Sequence, residues 1–115
     1  MNLPIRKQSG VLIVEVGGRI DHSIAEEFTR ALDPLLANCS QGQLPVLLDF
    51  SGVIYISSAG LRVLMMASRQ AKAQQGSFAI AALTPLVQEV FTISRFNLIV
   101  PCYASVDAAC KVLGK

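Results

Sequence analysis

The sequence predicts a single α/β domain built on a mixed, mostly parallel sheet, with an N-terminal β-hairpin and about four helices. Apolar runs suited to strands alternate with segments of helical periodicity in the order β-β-α-β-α-β-α-β-α. The pair Ser9-Gly10 separates the first two strand candidates and is typical of a hairpin turn. The length of 115 residues is near the commonest domain size, and no linker or repeat interrupts it. We therefore predict one domain over residues 1–115.

The first strands and the start of the first helix are predicted from apolar runs and capping residues. Leu3–Gln8 is a weak strand candidate, and Val11–Val16 is a stronger one because it is apolar nearly throughout. Gly17-Gly18 is expected to break the second strand. Asp21 or Ser23 is the expected N-cap of the first helix, since either side chain can accept a hydrogen bond from the free backbone amides there.

The middle of the chain is predicted to hold one helix and one strand. The expected core stripe of the helix is Ile24, Phe28, Ala31, Leu32 and Leu35. Pro34 predicts a kink or two short helices ending near Asn38, because proline lacks a backbone N–H. Leu44–Phe50 is a nearly continuous apolar strand that carries Asp49. A turn at Ser51-Gly52 should follow, with its amides donating hydrogen bonds to Asp49.

The remaining elements complete the alternation. They are predicted as a helix Ser58–Gln75, a strand Phe78–Ala82, a helix from Thr84-Pro85 to the segment Ser94–Asn97, a strand Leu98–Val100 and a helix Ser105–Leu113. Gly76 is expected to end the first of these helices as its C′ residue. Leu86 is expected on the core side of the next. The alternation implies parallel pairing in the later units, with the hairpin adding an antiparallel edge.

Composition and charge argue against several functional classes. Apolar residues make up 52% of the chain and charged residues 16%, against roughly 25% charged in an average domain. The formal net charge is +2 and the basic residues are scattered, so no stripe for direct nucleic-acid binding is expected. No uninterrupted apolar run approaches the roughly 20 residues that a spanning helix requires, so membrane insertion is not expected.

The cysteines and the first residues favour the cytoplasm. The three cysteines form no C-x-x-C pair, and the chain has a single histidine. This pattern favours reduced thiols, and no zinc site is expected. Met1–Lys7 has no apolar core followed by small residues, so no secretory signal is expected. We predict a cytoplasmic protein without a metal or cofactor.

The stretch Asp49–Leu64 holds the residues with the clearest chemistry. Ser57-Ser58 stands at the predicted start of the second long helix, where free backbone N–H groups and a partial positive charge favour an anion. The two serines are therefore either helix caps or attachment points for a phosphate. Their spacing alone leaves both interpretations open.

Two catalytic alternatives have little support. The sequence contains no nucleophile elbow, P-loop or dinucleotide-binding fingerprint, and His22 is a lone histidine in a predicted loop. A phosphoacceptor role for Asp49, as in receiver domains, requires a magnesium ion held by several carboxylates. Only Glu15 stands near the end of the preceding strand. We therefore do not expect an enzyme.

The segments Asp49–Val53 and Tyr55–Leu64 resemble the signature of bacterial anti-sigma factor antagonists, which are STAS domains. Gly18–Asp21, before the first helix, matches as well. The resemblance implies a STAS-like fold over nearly the whole chain and a domain that binds an anti-sigma serine kinase in its unmodified form. In such proteins the kinase phosphorylates a serine at this helix start, which ends the binding, and a serine phosphatase restores it.

The resemblance also assigns roles to individual residues. The implied phosphoacceptor is Ser58, and Ser57 is the second choice because it replaces the aspartate that many members carry. The residues implied in partner binding are Asp21, Ser57, Ser58, Ala59, Gly60, Arg62 and Met66. Gly60 is expected either to permit close approach of a partner backbone or to allow tight helix–strand packing.

The main alternative is a STAS adaptor that is not phosphorylated. It would serve as a subunit of a transporter, of the lipid-transport ATPase type, or of a larger signalling assembly. In that case the serines would only cap the helix. A small-molecule binding domain is a third class, because turns between strands and helices can hold anions.

Overall fold

A computed structural model of the chain describes residues 1–114 and confirms the predicted order of elements. The elements are β1 Ile5–Gln8, β2 Val11–Ile20, α1 Ala25–Ala37, β3 Val46–Ile56, α2 Ser58–Ala73, β4 Phe78–Ala81, α3 Pro85–Ile93, a 3-10 helix Phe96–Leu98, β5 Cys102–Tyr103 and α4 Val106–Leu113. Among the described residues, no helix is both long enough and apolar enough to cross a membrane.

The five strands form one sheet in the order β1-β2-β3-β4-β5. β1 pairs with β2 in antiparallel orientation, and every other neighbouring pair is parallel. The hairpin turns at Ser9 and Gly10, whose φ angles of 52° and 76° both lie in the left-handed region that a two-residue turn of this kind requires. The predicted mixed sheet with an N-terminal hairpin is therefore confirmed.

Helices cover both faces of the sheet. The larger core lies under α1, α2 and α3 and includes Phe28, Leu64 and Phe91. The smaller core lies under α4 and includes Ala109 and Cys110. Alternate residues of β2 enter different cores, as expected from the period-2 geometry of a strand.

Strands β2 and β3 are longer than predicted. Gly17-Gly18 does not end β2, which continues to Ile20 through register shifts against β3 on either side of the glycine pair. The predicted turn at Ser51-Gly52 is also wrong, because these residues lie inside β3. The amide of Ser51 does donate to Asp49 Oδ1 at 3.0 Å. Gly17 of β2 lies beside Gly52 of β3, so the two strands can bend together and continue. Neither Gly17-Gly18 nor Ser51-Gly52 therefore ends its strand.

The start and interior of α1 correct two predictions. The N-cap is Ile24, and no side chain caps the helix, so neither Asp21 nor Ser23 has that role. Pro34 lies within one continuous helix, and the prediction of two short helices is wrong. The helix ends before Asn38, as predicted.

The buried stripe of α1 also differs from the prediction. It is completed by Leu36, which the sequence analysis did not include. Ala31 and Leu35 are only half-buried, so the stripe lies slightly further round the helix than predicted.

Helix α2 ends in a motif that uses two neighbouring residues. The left-handed residue is Gln75, with φ of 59°, and not Gly76 as predicted. The amide of Gly76 donates to the carbonyl of Ala71 at 2.8 Å, which is the long hydrogen bond of a Schellman motif. A Cβ on Gly76 would lie 2.3 Å from the carbonyl oxygen of Cys39, so this glycine is required for a close backbone approach.

The segment after β4 contains the remaining corrections. Helix α3 starts where it was predicted, with Thr84 at the N-cap position, but the Thr84 hydroxyl donates to the carbonyl of Val53 at 2.7 Å and does not cap the helix. Leu86 is 51% exposed, so its predicted core position is wrong. The predicted strand Leu98–Val100 is also wrong, because Leu98 ends a 3-10 helix and Ile99-Val100 lie in a turn, and the last strand is Cys102–Tyr103.

Candidate functional site

The candidate site lies at the start of α2, next to the ends of β2 and β3. Ile20 and Ile56 are paired as the last residues of these strands. The next residue, Ser57, donates its amide hydrogen to the carbonyl of Ile20 at 2.9 Å. The first turn of α2 is therefore attached directly to the end of the neighbouring strand, which fixes its position relative to the segment that follows β2.

Ser57 is the N-cap of α2. Its Oγ accepts a hydrogen bond from the amide of Gly60 at 3.2 Å and donates one to the carbonyl of Ile20 at 3.3 Å. Its backbone is extended and its side chain is partly buried. The hydroxyl therefore acts as both donor and acceptor within the protein, which is the capping role predicted as one of the two interpretations.

Ser58 is the first residue of α2 and has a different environment. It is exposed, and no hydrogen bond of its hydroxyl is found within residues 1–114. The first turn of α2 contains no acidic residue among these described positions. The partial positive charge of this helix end therefore faces solvent beside a free hydroxyl.

Gly60 is buried beneath the first turn of α2. A Cβ at this position would lie 2.8 Å from Ile20 Cγ2, from the carbonyl oxygen of Ile20 and from Ile56 Cγ1. Two of these atoms belong to side chains of the core, and the third belongs to the backbone. The second of the two expected roles therefore applies, since the missing side chain lets α2 pack tightly on the ends of β2 and β3.

Asp21 forms a small turn directly after β2. Its Oδ1 accepts from the Ser23 hydroxyl at 2.6 Å and from the Ser23 amide at 3.0 Å. These bonds, led by the one from the hydroxyl, lower the pKa of the Asp21 carboxyl below its ordinary value. Asp21 is thus ionised and partly satisfied by its own turn.

A contact between Arg19 and Tyr55, close to the site, was not predicted from the sequence. The guanidinium of Arg19 lies over the ring of Tyr55, 4.4 Å from its centroid, in a cation–π contact. The two residues are paired across β2 and β3. The pairing would have been visible from the sequence only if both strands had been extended beyond their glycines.

The other predicted partner-binding residues lie together on a groove between α1 and α2. Ala59, Arg62 and Met66 all line it, and its volume is about 630 Å³. Arg62 is exposed and Met66 is 52% exposed, whereas the neighbouring Met65 is packed against the core. Asp21 is not among the residues that line the groove. The predicted set therefore divides into a groove, a helix start and a separate turn.

The chain thus combines a five-stranded mixed sheet, covered by helices on both faces, with a pair of serines at the start of the second long helix. The family model described as Mlab, STAS domain matches residues 4–101 of the chain. The protein therefore belongs to the STAS-domain family, and the resemblance found in the sequence is confirmed.

Individual relatives have names that are more specific than the family description. The Bordetella bronchiseptica protein BtrV, provisionally named an anti-sigma factor antagonist, is 38% identical over 109 residues, which cover 95% of this chain and 91% of that protein. The crystal structure of an anti-sigma factor antagonist from Mycobacterium paratuberculosis superposes with a TM-score of 0.86 at 21% identity, covering 99% and 94% of the two chains.

The Bacillus cell-fate determinant SpoIIAA provides a third comparison, in its phosphorylated form. It superposes with a TM-score of 0.65 at 16% identity, covering 96% of this chain and 99% of that one. At such low identities the two structural matches establish the shared fold. The sequence match to BtrV connects the chain to proteins named as antagonists.

Proposed function

We propose that this protein is an anti-sigma factor antagonist that binds an anti-sigma serine kinase and is switched off by phosphorylation of Ser58. The observation that carries the proposal is the contrast between the two serines. Ser57 uses its hydroxyl to cap α2 and to bind the carbonyl of Ile20, whereas Ser58 is exposed with a free hydroxyl among the described residues. The 38% identity to BtrV, over nearly the whole length of both chains, supports the antagonist role.

The physical basis of the switch is the charge of a phosphate. A phosphoserine carries about −1.5 to −2 charges at pH 7. At the start of α2 the protein itself tolerates this charge, because the helix end is partially positive and its first turn has no acidic residue. An apolar or acidic surface docked over Ser58 would not tolerate it. Phosphorylation can thus release a partner while the domain stays folded.

Ser58 is the better acceptor for a structural reason. Phosphorylation of Ser57 would remove the hydroxyl hydrogen that is donated to Ile20 and would crowd the contact with the Gly60 amide. Phosphorylation of Ser58 breaks no hydrogen bond that the described residues make. A kinase can therefore reach Ser58 without first opening the helix start.

The same proposal defines the partners and the setting. The protein acts by binding, without a reaction of its own and without a cofactor. A serine phosphatase returns it to the active form. It acts in the cytoplasm and reaches transcription only through the anti-sigma factor, with no direct contact with nucleic acid.

The adaptor alternative remains distinguishable from the antagonist. The matching family model is described as Mlab, STAS domain, a description that contains no reference to sigma factors. An adaptor subunit of a transporter would use the fold as a constant binding module. Its affinity for its partner would then be the same in the wild type and in Ser58→Asp.

The decisive experiment combines phosphorylation with binding. The purified protein is incubated with the serine kinase encoded nearest its gene and ATP, and the modified residue is mapped by mass spectrometry. We expect one phosphate on Ser58, its loss in Ser58→Ala, and its retention in Ser57→Ala. Loss in Ser57→Ala with retention in Ser58→Ala would refute the assignment, and Ser58→Asp binding the kinase as tightly as wild type would refute the switch.

A further inference from the structure

The groove between α1 and α2 has an apolar floor, whose α1 leucines are almost fully buried and whose α2 side is open to solvent at Met66. Leu32 and Leu36 contribute to it from α1, and Val63 and Met66 from α2. Met66 is the most accessible of these, at 52% exposed. Methionine is flexible and polarisable, and it is common on surfaces that adapt to a bound helix. The groove begins at Ala59, directly after Ser58.

The two walls of the groove carry opposite charges. Arg62 and Arg69 line it from α2, and Glu26 and Asp33 line it from α1. Each pair is seven residues apart, which is about two helical turns or roughly 10 Å. Within residues 1–114, ion pairing involves neither arginine nor Asp33, while Glu26 pairs with Arg30 on its own helix.

We propose that this groove is the docking site for an amphipathic helix of the partner protein, with acidic side chains along one border of its apolar face and basic side chains along the other. The acidic border lies against Arg62 and Arg69, and the basic border lies against Asp33 and Glu26. The proposal rests on the proposed function only in taking the partner to be a protein that Ser58 regulates.

The groove favours such a helix over other occupants. A strand would need free backbone groups to pair with, and the walls here are two helices whose backbones are already bonded internally. A helix with borders of a single sign would place like charges against one wall, which weakens binding. A purely apolar occupant would leave both walls without a partner. Only a helix of mixed borders satisfies the floor and both walls.

The position of Arg62 connects the groove to Ser58. The two residues are four apart on α2 and therefore neighbours on the helix surface. A phosphate on Ser58 would form a charge-assisted pair with Arg62 and would repel the acidic border of the docked helix. Phosphorylation thereby removes the contact between Arg62 and the acidic border of the docked helix, and it adds repulsion between that border and the phosphate.

Three synthetic peptides of about 15 residues test the docking site in the unmodified protein. Each is stapled, because short helices are marginal in water, and all share one leucine face. The first has one acidic and one basic border, the second has two acidic borders, and the third has two basic borders. Turning a helix end to end exchanges its borders, so the single-sign peptides are the proper controls and an exchanged peptide is not.

We expect the mixed peptide to bind about tenfold more tightly than either control. Amide shifts in isotope-labelled protein should then change at Leu32, Val63 and Met66. In the double variant Arg62→Glu with Arg69→Glu both walls are acidic, so the preference should move to the peptide with two basic borders. Equal affinity for the three peptides, or shift changes outside α1 and α2, would overturn the proposal.

Two further variants separate the groove from general apolar binding. Met66→Glu should abolish binding of the mixed peptide, whereas Leu98→Glu should leave it unchanged, since Leu98 is 78% exposed but does not line the groove. Equal losses in both variants would count against the site.

A last measurement uses phosphoserine incorporated genetically at position 58. It should weaken the mixed peptide about tenfold, and less in an Arg62→Gln background. No weakening would refute the coupling to Ser58. None of these measurements uses a kinase. The peptides can therefore fail to bind while the kinase still phosphorylates Ser58, and the reverse result is equally possible.

Discussion

Helices α2 and α4 both begin with a serine N-cap. Ser57 Oγ accepts from the amide of Gly60 at 3.2 Å, and Ser105 Oγ accepts from the amide of Ala108 at 3.0 Å. The two starts differ in the charge that follows the cap. The first turn of α4 contains Asp107, whereas the first turn of α2 contains no acidic residue.

This difference separates a structural helix start from one that a modification can change. At α4 the positive helix end has its own carboxylate, which also accepts a hydrogen bond from Gln8 Nε2 at 3.2 Å. At α2 the corresponding negative charge is missing, and an exposed serine occupies the first helical position. A capping serine therefore does not by itself indicate function. Its neighbours in the first turn decide what the helix end can bind.

The largest expected effect concerns the third residue of each helix, Gly60 in α2 and Ala108 in α4. Gly60→Ala should lower the free energy of unfolding by about 3 kcal/mol, because the new Cβ would lie 2.8 Å from Ile20 and Ile56 atoms. Ala108→Gly should cost only about 0.5–1 kcal/mol, the ordinary penalty for glycine in a helix. Urea unfolding of both variants measures the contrast. Similar values for the two would mean that the start of α2 is no more tightly packed than that of α4.

Removing each cap should have the next largest effect. Ser105→Ala should cost about 1 kcal/mol, the usual value for an N-cap. Ser57→Ala should cost about 1–2 kcal/mol, since it also loses the bond from its hydroxyl to the carbonyl of Ile20. Chemical denaturation of the two variants and of Ser58→Ala as a control gives the comparison. A Ser58→Ala variant as unstable as Ser57→Ala would show that the exposed hydroxyl has a structural role after all.

Charge substitutions should produce smaller changes of opposite sign. Ser58→Asp should raise the free energy of unfolding by about 0.3–1 kcal/mol, because it supplies the negative charge that α2 lacks. Asp107→Asn should lower it by a similar amount in α4. Both changes should shrink in 1 M salt, where the charges are screened. Under the proposed function, Ser58→Asp should lose affinity for the kinase even as it gains stability.

A destabilised Ser58→Asp variant would contradict this account directly. Its loss of kinase binding would then be explained by partial unfolding, and the phosphate would act by disrupting α2. Equal thermal unfolding of Ser58→Asp and of Ser77→Asp, an exposed control whose hydroxyl makes no hydrogen bond within the described residues, would leave the helix end without a role in tolerating the charge.

Local sequence signals predicted most of the fold. The alternation of elements, the hairpin and the start of α4 at about Ser105 all follow from patterns within a few residues. The errors lie where tertiary contacts override local signals. Gly17-Gly18 and Ser51-Gly52 read as breaks, but strand pairing carries β2 and β3 through them. Gln75 adopts the left-handed conformation because Gly76 is needed one residue later.

The candidate site was predictable only in part. The resemblance named Ser58 as the first choice of phosphoacceptor and Ser57 as the second, and spacing placed both at a helix start, but neither could separate a capping hydroxyl from a free one. That separation depends on hydrogen bonds to Ile20, a residue far away in the sequence. The groove was missed as a unit for the same reason. Its acidic wall comes from α1, and no local pattern aligns Asp33 with Arg69.

The smallest expected effect concerns Asp21. This carboxylate directly follows Ile20, but it accepts hydrogen bonds from Ser23 and none from the start of α2. Hydrogen bonds from Ser23 hold the pKa of Asp21 below its ordinary value of 3.8, so its ionised form is favoured in the folded state. Its contribution to stability is therefore present above pH 3.8 and disappears as the pH falls through the lower pKa of the folded protein. Ser23→Ala removes the largest cause, and an NMR titration of the carboxyl should show the pKa rising towards 3.8. If the pKa stays low in Ser23→Ala, the backbone hydrogen bonds from residues 23 and 24 or the positive charge of Arg19 hold it, and Arg19→Gln is the variant that separates these causes.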